Sequence, residues 1–422
     1  MADIVKLMRP GTLQLQALPP LALYVHLPWC LRKCPYCDFN SHELKWAPMT
    51  PLASVPHGGA TGSGRPGGTL AGALPVELAE AYLAALRADL EAALPLIWGR
   101  SVVSVFIGGG TPSLFNPEQI AQLISDLRAR LPLEPGCEIT LEANPGTFER
   151  ERFKGFRAAG VTRLSVGVQS FDDAQLKALG RVHSATQARE ALAEAAQAFE
   201  TFNLDLMYAL PGQTLDQLAA ELDTALAFKP PHLSIYHLTI EPNTVFATRT
   251  PAGLPDADLA SDMLDLITAR TEAAGLARYE VSAYARPGHR CVHNQNYWEF
   301  GDYLGIGAGA HSKLSFAHRV LRQVRWREPA AYMAKAAEGQ AVSNESEVGA
   351  KELPFEFMLN ALRLKDGVPI AQFLERTGLP GSAISAGLAQ GVARGLLVDD
   401  PARIQPTARG FDFLSDLQQL FL

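Results

Sequence analysis

The stretch YVHLPWCLRKCPYCDFNSH, residues 24–42, places three of the chain's five cysteines within eight positions, as Cys30, Cys34 and Cys37. Thiolates are soft ligands that suit zinc and iron–sulfur clusters. A closed structural zinc site takes four ligands, so C-x-x-x-C-x-x-C would need His26 or His42 to complete it. A disulfide pair leaves one thiol over. Inert burial sits badly beside Arg32 and Lys33, which make the loop basic and accessible. A [4Fe–4S] cluster suits three thiolates: they hold three irons and leave a fourth free to chelate a small molecule through an amine and a carboxylate. The spacing favours the cluster, and a zinc site completed by histidine stays open on the residues alone.

A second group of interest is CVHNQNYW, residues 291–298. Cys291 and His293 are two possible iron ligands, and Tyr297 and Trp298 could pack on a macrocycle such as heme. The plainer reading makes the aromatics core, His293 a hydrogen-bonded side chain and Cys291 a buried thiol. His311, in GAGAHSK, lies in a Gly-rich turn suited to a site. GGGTP, Gly108 to Pro112, would let backbone approach a ligand where a side chain would block it.

Positioning these groups requires a frame, and one pattern recurs from residue 21 to about 240. Short apolar runs (LALYVHL, SVVSVFI, EITLEA, RLSVGV, FNLDLMYAL, HLSIYHLTI) alternate with helical stretches such as ELAEAYLAALRADLEAAL, PEQIAQLISDLRARL and TLDQLAAELDTALAF. The runs read as strands covered on both faces. Asn116, Pro117 and Gln119 make a helix start with a capping box. Six β/α units predict a curved parallel sheet with outer helices, as an open (β/α)6 partial barrel or a doubly wound sheet. The polar or glycine-rich residues follow the strands directly, so the signals converge on the C-terminal strand ends, which favours the partial barrel.

The rest of the chain divides by composition. Residues 1–20 read as an N-terminal extension and 47–75 as a Gly/Pro-rich insertion within a 21–245 barrel. Residues 246–348 form an irregular α+β region completing the site. Residues 349–422 form a mostly helical C-terminal domain, winged-helix-like around LLVDDPARIQPT. Of 422 residues 47% are hydrophobic and 19% charged, with net charge −7. That balance argues against a general grip on nucleic acid. No run approaches the length of a transmembrane helix or a signal core, so a cytoplasmic protein is expected, with peripheral membrane contact and a homodimer left open.

The cysteine spacing, with Tyr36 just before the last thiol and the motif set after a first strand, resembles the radical S-adenosylmethionine (SAM) superfamily. That resemblance implies SAM on the free iron, with Gly109, Gly110 and Thr111 of the glycine motif cradling its amino group. Over nearly the whole chain the sequence is similar to the oxygen-independent coproporphyrinogen III dehydrogenase family, through YVHLPWCLRKCPYCDF, IGGGTPS, LEANPGT, RLSVGVQSF, LGRVHS and NLDLMYALPGQT. The resemblance puts Tyr24, Tyr36, Glu142, Gln169, Arg181 and Asp205 where that family contacts SAM. The dehydrogenase has a fourth cysteine where this chain has Phe39, and a longer segment before the first strand. CDFNSH, HNQNYW, FEFMLNALRLKDG and DLQQLFL instead resemble the heme-chaperone branch. That branch implies heme as ligand, a heme-acceptor protein as partner, His293 as a heme ligand, and no coproporphyrinogen oxidase activity; Cys291 stays a heme-ligand candidate from the residues alone.

Overall fold

The computed structural model describes residues 13–44, 74–146 and 149–422. Most of the expected 1–20 extension and of the 47–75 insertion therefore lies outside the described residues.

All six expected strands form: β1 (Leu21–Leu27), β2 (Val102–Gly109), β3 (Leu133–Ala143), β4 (Arg163–Gln169), β5 (Thr201–Tyr208) and β6 (His232–His237). They pair in parallel in chain order. Between them run α1 (Val76–Ala93), α2 (Pro117–Arg130), α3 (Glu149–Ala159), α4 (Ala185–Ala198) and α5 (Leu215–Ala227), and α6 (Ala257–Ala273) follows β6. The capping box expected at Asn116 is present, the Asn116 side chain accepting from the Gln119 amide at 2.8 Å and Gln119 returning the bond at 2.9 Å. Equivalent boxes at Ser184 and Thr214 start α4 and α5. Each cap satisfies amides that a helix start leaves without partners, so these crossovers begin at defined residues.

The strands are not apolar on both faces. One face carries Leu23, Val25, Val105, Ile107, Leu141, Val166 and Leu204, which pack with Leu86, Ile120, Leu123, Leu192 and Leu222 of the helices in one core. The other carries Ser104, Glu138, Glu142, Arg163, Asn203, Asp205 and His232, several hydrogen-bonded to one another across strands. Period-two alternation hides this polar face within runs that look apolar as a whole.

The region expected to be irregular belongs largely to the same sheet. At the β6 edge β7 (Ala277–Arg278) and β8 (Ala283–Ala285) add antiparallel strands. On the far side of β1 lies a seventh parallel strand, β9 (Asp302–Ile306), followed by antiparallel β10 (His311–Phe316), β11 (Arg319–Arg325) and β12 (Val342–Glu347). The result is a 12-stranded sheet. Between β8 and β9 sits α7 (Val292–Trp298), and between β11 and β12 sits α8 (Pro329–Ala337).

The C-terminal unit has its own core around Leu353, Phe357, Phe373, Ile404, Leu417 and Phe421, which also takes in Phe300 and Val320 from the sheet end. It is mostly helical, with α9 (Leu353–Ala361), α10 (Ile370–Thr377), α11 (Ser385–Ala393) and α12 (Leu414–Gln419). The expected hairpin is present as a bridge between Leu397 and Pro406. Within it Arg403–Ile404 pairs with Val368–Pro369. Among the described residues no helix is long and apolar enough to cross a membrane.

Candidate cluster and ligand site

The loop after β1 folds back on itself before it can present its thiols. Trp29–Cys30 pairs in parallel with His42–Glu43. Lys33 Nζ donates to the carbonyls of Phe39 and Ser41 at 3.0 and 3.3 Å. Asn40 ties the loop to the rest of the sheet by donating to the Ala308 and Arg327 carbonyls at 2.9 and 2.8 Å. On the other side Gly180, at φ +70°, lies so close to Pro35 that an added Cβ would sit 2.6 Å from the proline Cδ. Only glycine combines that backbone conformation with that approach.

Held this way, Cys30, Cys34 and Cys37 line one cavity of about 270 Å³ at the C-terminal strand ends. Tyr36, Gly109, Gly110, Thr111, Glu142, Gln169, Arg181 and Asp205 line it as well. Tyr24 does not: it lies within β1, its hydroxyl 3.0 Å from His26 Nδ1 and its ring stacked on Phe106. Phe39, in the place of the dehydrogenase's fourth cysteine, is 61% exposed at the cavity mouth.

A continuous set of hydrogen bonds joins two of the thiols. Thr111 Oγ1 donates to Cys30 Sγ at 3.7 Å, and Asn144 Nδ2 donates to Thr111 Oγ1 at 2.9 Å. Arg181 Nη2 donates to Asn144 Oδ1 at 2.6 Å, and Arg181 Nη1 to Cys34 Sγ at 3.7 Å. Cys37 Sγ pairs with Ser41 Oγ at 3.7 Å. Burial pushes the Cys30 thiol up to about 11, with the Thr111 bond opposing, and raises the Cys37 thiol too. Neutral thiols are therefore favoured until a cation takes them.

The carboxyl side of the cavity is equally unusual. Glu142 accepts from the Gly109 amide at 3.1 Å, yet burial and the charge of Asp205 push it up to about 8. Burial also raises Asp205, against the pull of its Asn203 partner. The cavity thus holds two protonatable acids facing a basic, thiol-bearing wall, a suitable setting for a ligand with both an amine and a carboxylate. An added Cβ on Gly110 would lie 2.5 Å from the Trp29 carbonyl oxygen, so the glycine motif has to pass this close to the cluster loop. Gln169 adopts φ 72° at a register shift between β4 and β5, which turns its side chain into the cavity.

The heme candidates lie at the other end of the strands. Cys291 is buried with its thiol 3.7 Å from Glu138 Oε1, and its amide donates to Tyr279 Oη at 3.3 Å. His293 is 8% exposed, its Nδ1 3.3 Å from Ser104 Oγ. Burial, helped by Arg163, lowers it to about 3, so the imidazole is neutral. Glu138 precedes Glu142 by four residues on β3, which sets the two ends of the site roughly 13 Å apart at about 3.3 Å per residue. The expected constellation is divided: Cys291 and His293 plug the floor, whereas Tyr297 and Trp298 line a separate lateral cleft. Neither Cys291 nor His293 lines that cleft or the cluster cavity.

Comparison with known proteins bears on this geometry. The model of the Radical SAM superfamily matches residues 24–225, and that of the HemN C-terminal domain matches residues 348–413. The Escherichia coli (strain K12) protein named heme chaperone HemW is 43% identical over 407 residues, covering 96% of this chain and 99% of that protein. The chain belongs to the HemW family. A Mycobacterium tuberculosis (strain H37Rv) heme chaperone HemW is 36% identical over 93% of this chain and 92% of its own length. Among solved structures, coproporphyrinogen III oxidase (HemN) from Escherichia coli, a radical SAM enzyme, superposes with a TM-score of 0.75 at 22% identity. That likeness covers 100% of this chain and 98% of the oxidase, and it shows the shared fold.

Membership implies a [4Fe–4S] cluster and SAM, and the residues fit both. Among the described residues no three His, Cys, Asp or Glu side chains converge closely enough for a single metal ion. A cluster makes a wider demand, one thiolate per iron, with donors to the sulfurs. Arg181, Thr111 and Ser41 stand beside the sulfurs as such donors. Arg181 Nε is buried with no protein partner, a cationic donor left for a ligand. Sequence reasoning missed Asn144, Asn40 and Ser41. Asn144 was visible only as the NP pair ending β3, and the other two as letters inside CDFNSH; their partners are distant in the chain.

Proposed function

We propose that this protein is a heme chaperone that carries a [4Fe–4S] cluster with SAM and passes heme to an acceptor protein. The observation that carries this reading is full-length similarity to heme chaperones joined to a three-thiol cavity in which Phe39 replaces a fourth sulfur. Cys30, Cys34 and Cys37 would hold the cluster, and a fourth iron would supply a Lewis-acidic position for an amine and a carboxylate. Arg181 pairs with the ligand's carboxylate and orients Cys34. Glu142 gives up its proton when a cationic group such as the ligand's sulfonium arrives, and Asp205 holds hydroxyl groups. The glycine motif brings backbone close and excludes water.

The test is anaerobic reconstitution with iron and sulfide, then titration with heme, beside an anaerobic assay for protoporphyrinogen from coproporphyrinogen III. Stoichiometric heme uptake without decarboxylation supports the chaperone. Decarboxylation would turn the assignment to the oxidase reaction, and absence of heme uptake in both cluster states would end the chaperone reading. In Cys37→Ser the cluster absorbance is expected to be lost.

A further inference from the structure

Period two on β5 puts Asn203 on the same face as Asp205, one row further from the C-terminal strand ends. Strand pairing brings Ser165 of β4 and His232 of β6 into register with Asn203, and Gly167 and Ser234 into register with Asp205. Asp205 and Ser165 line the cluster cavity, whereas Asn203 and His232 do not. These two are buried behind its wall, at 2% and 1% exposure.

The hydrogen bonds assign every atom of the Asn203 amide. As a carboxylate Asp205 only accepts, so the amide nitrogen faces it. Asn203 Nδ2 donates to Asp205 Oδ1 at 2.6 Å and to Ser165 Oγ at 2.8 Å. The amide oxygen then accepts from His232 Nδ1 at 2.6 Å and from Ser234 Oγ at 3.0 Å. Burial, with Arg163 and His289, lowers His232 well below the ordinary histidine value, so the ring is neutral and carries one proton. Nδ1 holds that proton, and Nε2 accepts from the Tyr279 hydroxyl at 2.8 Å. The Tyr279 hydroxyl in turn accepts from the Cys291 amide at 3.3 Å. Every donor and acceptor position of the Asn203 amide is filled, and turning it over would set its oxygen against Asp205. The chain therefore has one polarity, running from Cys291 through Tyr279, His232 and Asn203 to Asp205.

Resting on the SAM reading of the cavity, we propose that His232 and Asn203 are positioning residues that hold Asp205 as an acceptor for the vicinal ribose hydroxyls of SAM. Burial raises the Asp205 carboxyl, and the Asn203 bond leads the groups that oppose this, ahead of Arg163, Ser234 and Arg181. The carboxylate accepts from two hydroxyls, whereas the acid form must donate a proton itself. The hydroxyls of Ser165 and Ser234 can each donate or accept. Apart from Asp205 itself, only His232 among the amide's partners has a fixed polarity. A neutral His232 adds no charge to the cavity, so what it supplies is the orientation of the amide.

The test is anaerobic titration of the reconstituted full chain, without reductant, using SAM and its 2′,3′-dideoxyribose analogue. Wild type, Asp205→Asn, His232→Phe and His232→Asn are compared, with cluster iron per chain as the measure of intact folding. His232→Phe is expected to weaken SAM about ten-fold and to leave the analogue within about two-fold of wild type. His232→Asn, whose amide can donate from near the Nδ1 position, should recover most of the loss. Equal weakening of both ligands means a merely structural role and overturns the proposal, as does full wild-type discrimination between them in His232→Phe. Asn203→Leu, which keeps the branched shape of asparagine, puts the same question should His232→Phe lose its cluster. Discrimination lost in Asp205→Asn but kept in these variants overturns the positioning role alone. Discrimination unchanged in Asp205→Asn removes the ribose contact on which the inference rests, and failure of wild type to bind SAM defeats the reading of the cavity itself.

Discussion

Glu142 shows how a single buried acid sets the pH response of the cavity. Unfolded, it ionises near the ordinary 4.5; folded, it keeps its proton up to about 8. Between those values the folded chain binds more protons than the unfolded one, so stability falls as pH rises. Glu142→Gln removes that dependence. Without ligand, the variant should match wild type near pH 4 and exceed it by a few kcal/mol near pH 8, since each tenfold change in proton affinity is worth about 1.36 kcal/mol. Urea midpoints at the two pH values measure this, and an unchanged difference would mean that Glu142 ionises freely in the fold. SAM binding by wild type should release a proton at neutral pH, read as a buffer-dependent binding enthalpy. Glu142 was legible as a candidate from its place in LEANP, but its protonation follows from burial beside Asp205, 63 positions along the chain.

Elements position the cluster through close approaches that leave no space for a methyl group. Gly180→Ala would combine a left-handed backbone with a 2.6 Å clash on Pro35, between Cys34 and Tyr36. The expected cost is about 1–3 kcal/mol, with reduced cluster iron as the loop shifts. Gly212, at φ +69°, has nothing within 4 Å of its Cβ position, so Gly212→Ala isolates the backbone strain. It should destabilise without lowering cluster content, measured as iron and sulfide per chain. Equal cluster loss in both would assign the effect to global stability. The strands and helices of the first six units were readable because apolar runs and capping boxes are local signals. Strand β12 was not: VSNESE has little apolar alternation, and it becomes a strand only because β11 offers it a partner.

The whole molecule depends on strands that the barrel pattern does not announce. Asp302 opens β9 and is fully buried, paired with Lys313 Nζ at 3.0 Å and Arg100 Nη1 at 2.8 Å. It joins β10 and the start of β2 to the strand that flanks β1. Burial alone would raise its pKa, but Lys313 and Arg100 outweigh that and hold it below the ordinary 3.8. It therefore stabilises the fold above that value, and the stability is lost as pH falls through the folded value. Asp302→Asn should cost about 3–5 kcal/mol at neutral pH because it leaves Lys313 buried without its counter-charge. Denaturant titration of both proteins down to acid pH tests this: the wild-type advantage should shrink as acid protonates Asp302. A constant advantage would point to packing rather than charge.

The sequence by itself determined the three thiols, the six β/α units and the end of the sheet where glycine, carboxylate and arginine signals meet. Each of these is written locally, in spacing, periodicity or a cap, and local patterns survive without knowledge of partners. Tertiary structure alone decided what the polar strand positions do, because residues an even number apart share a face whose other members lie on different strands. It also divided HNQNYW, sending His293 into the floor and Tyr297 with Trp298 to the lateral cleft. And it set His232 between Asn203 and Tyr279, with both ring nitrogens hydrogen-bonded. Hydrogen-bond satisfaction is a property of neighbours in space, which spacing along the chain does not encode.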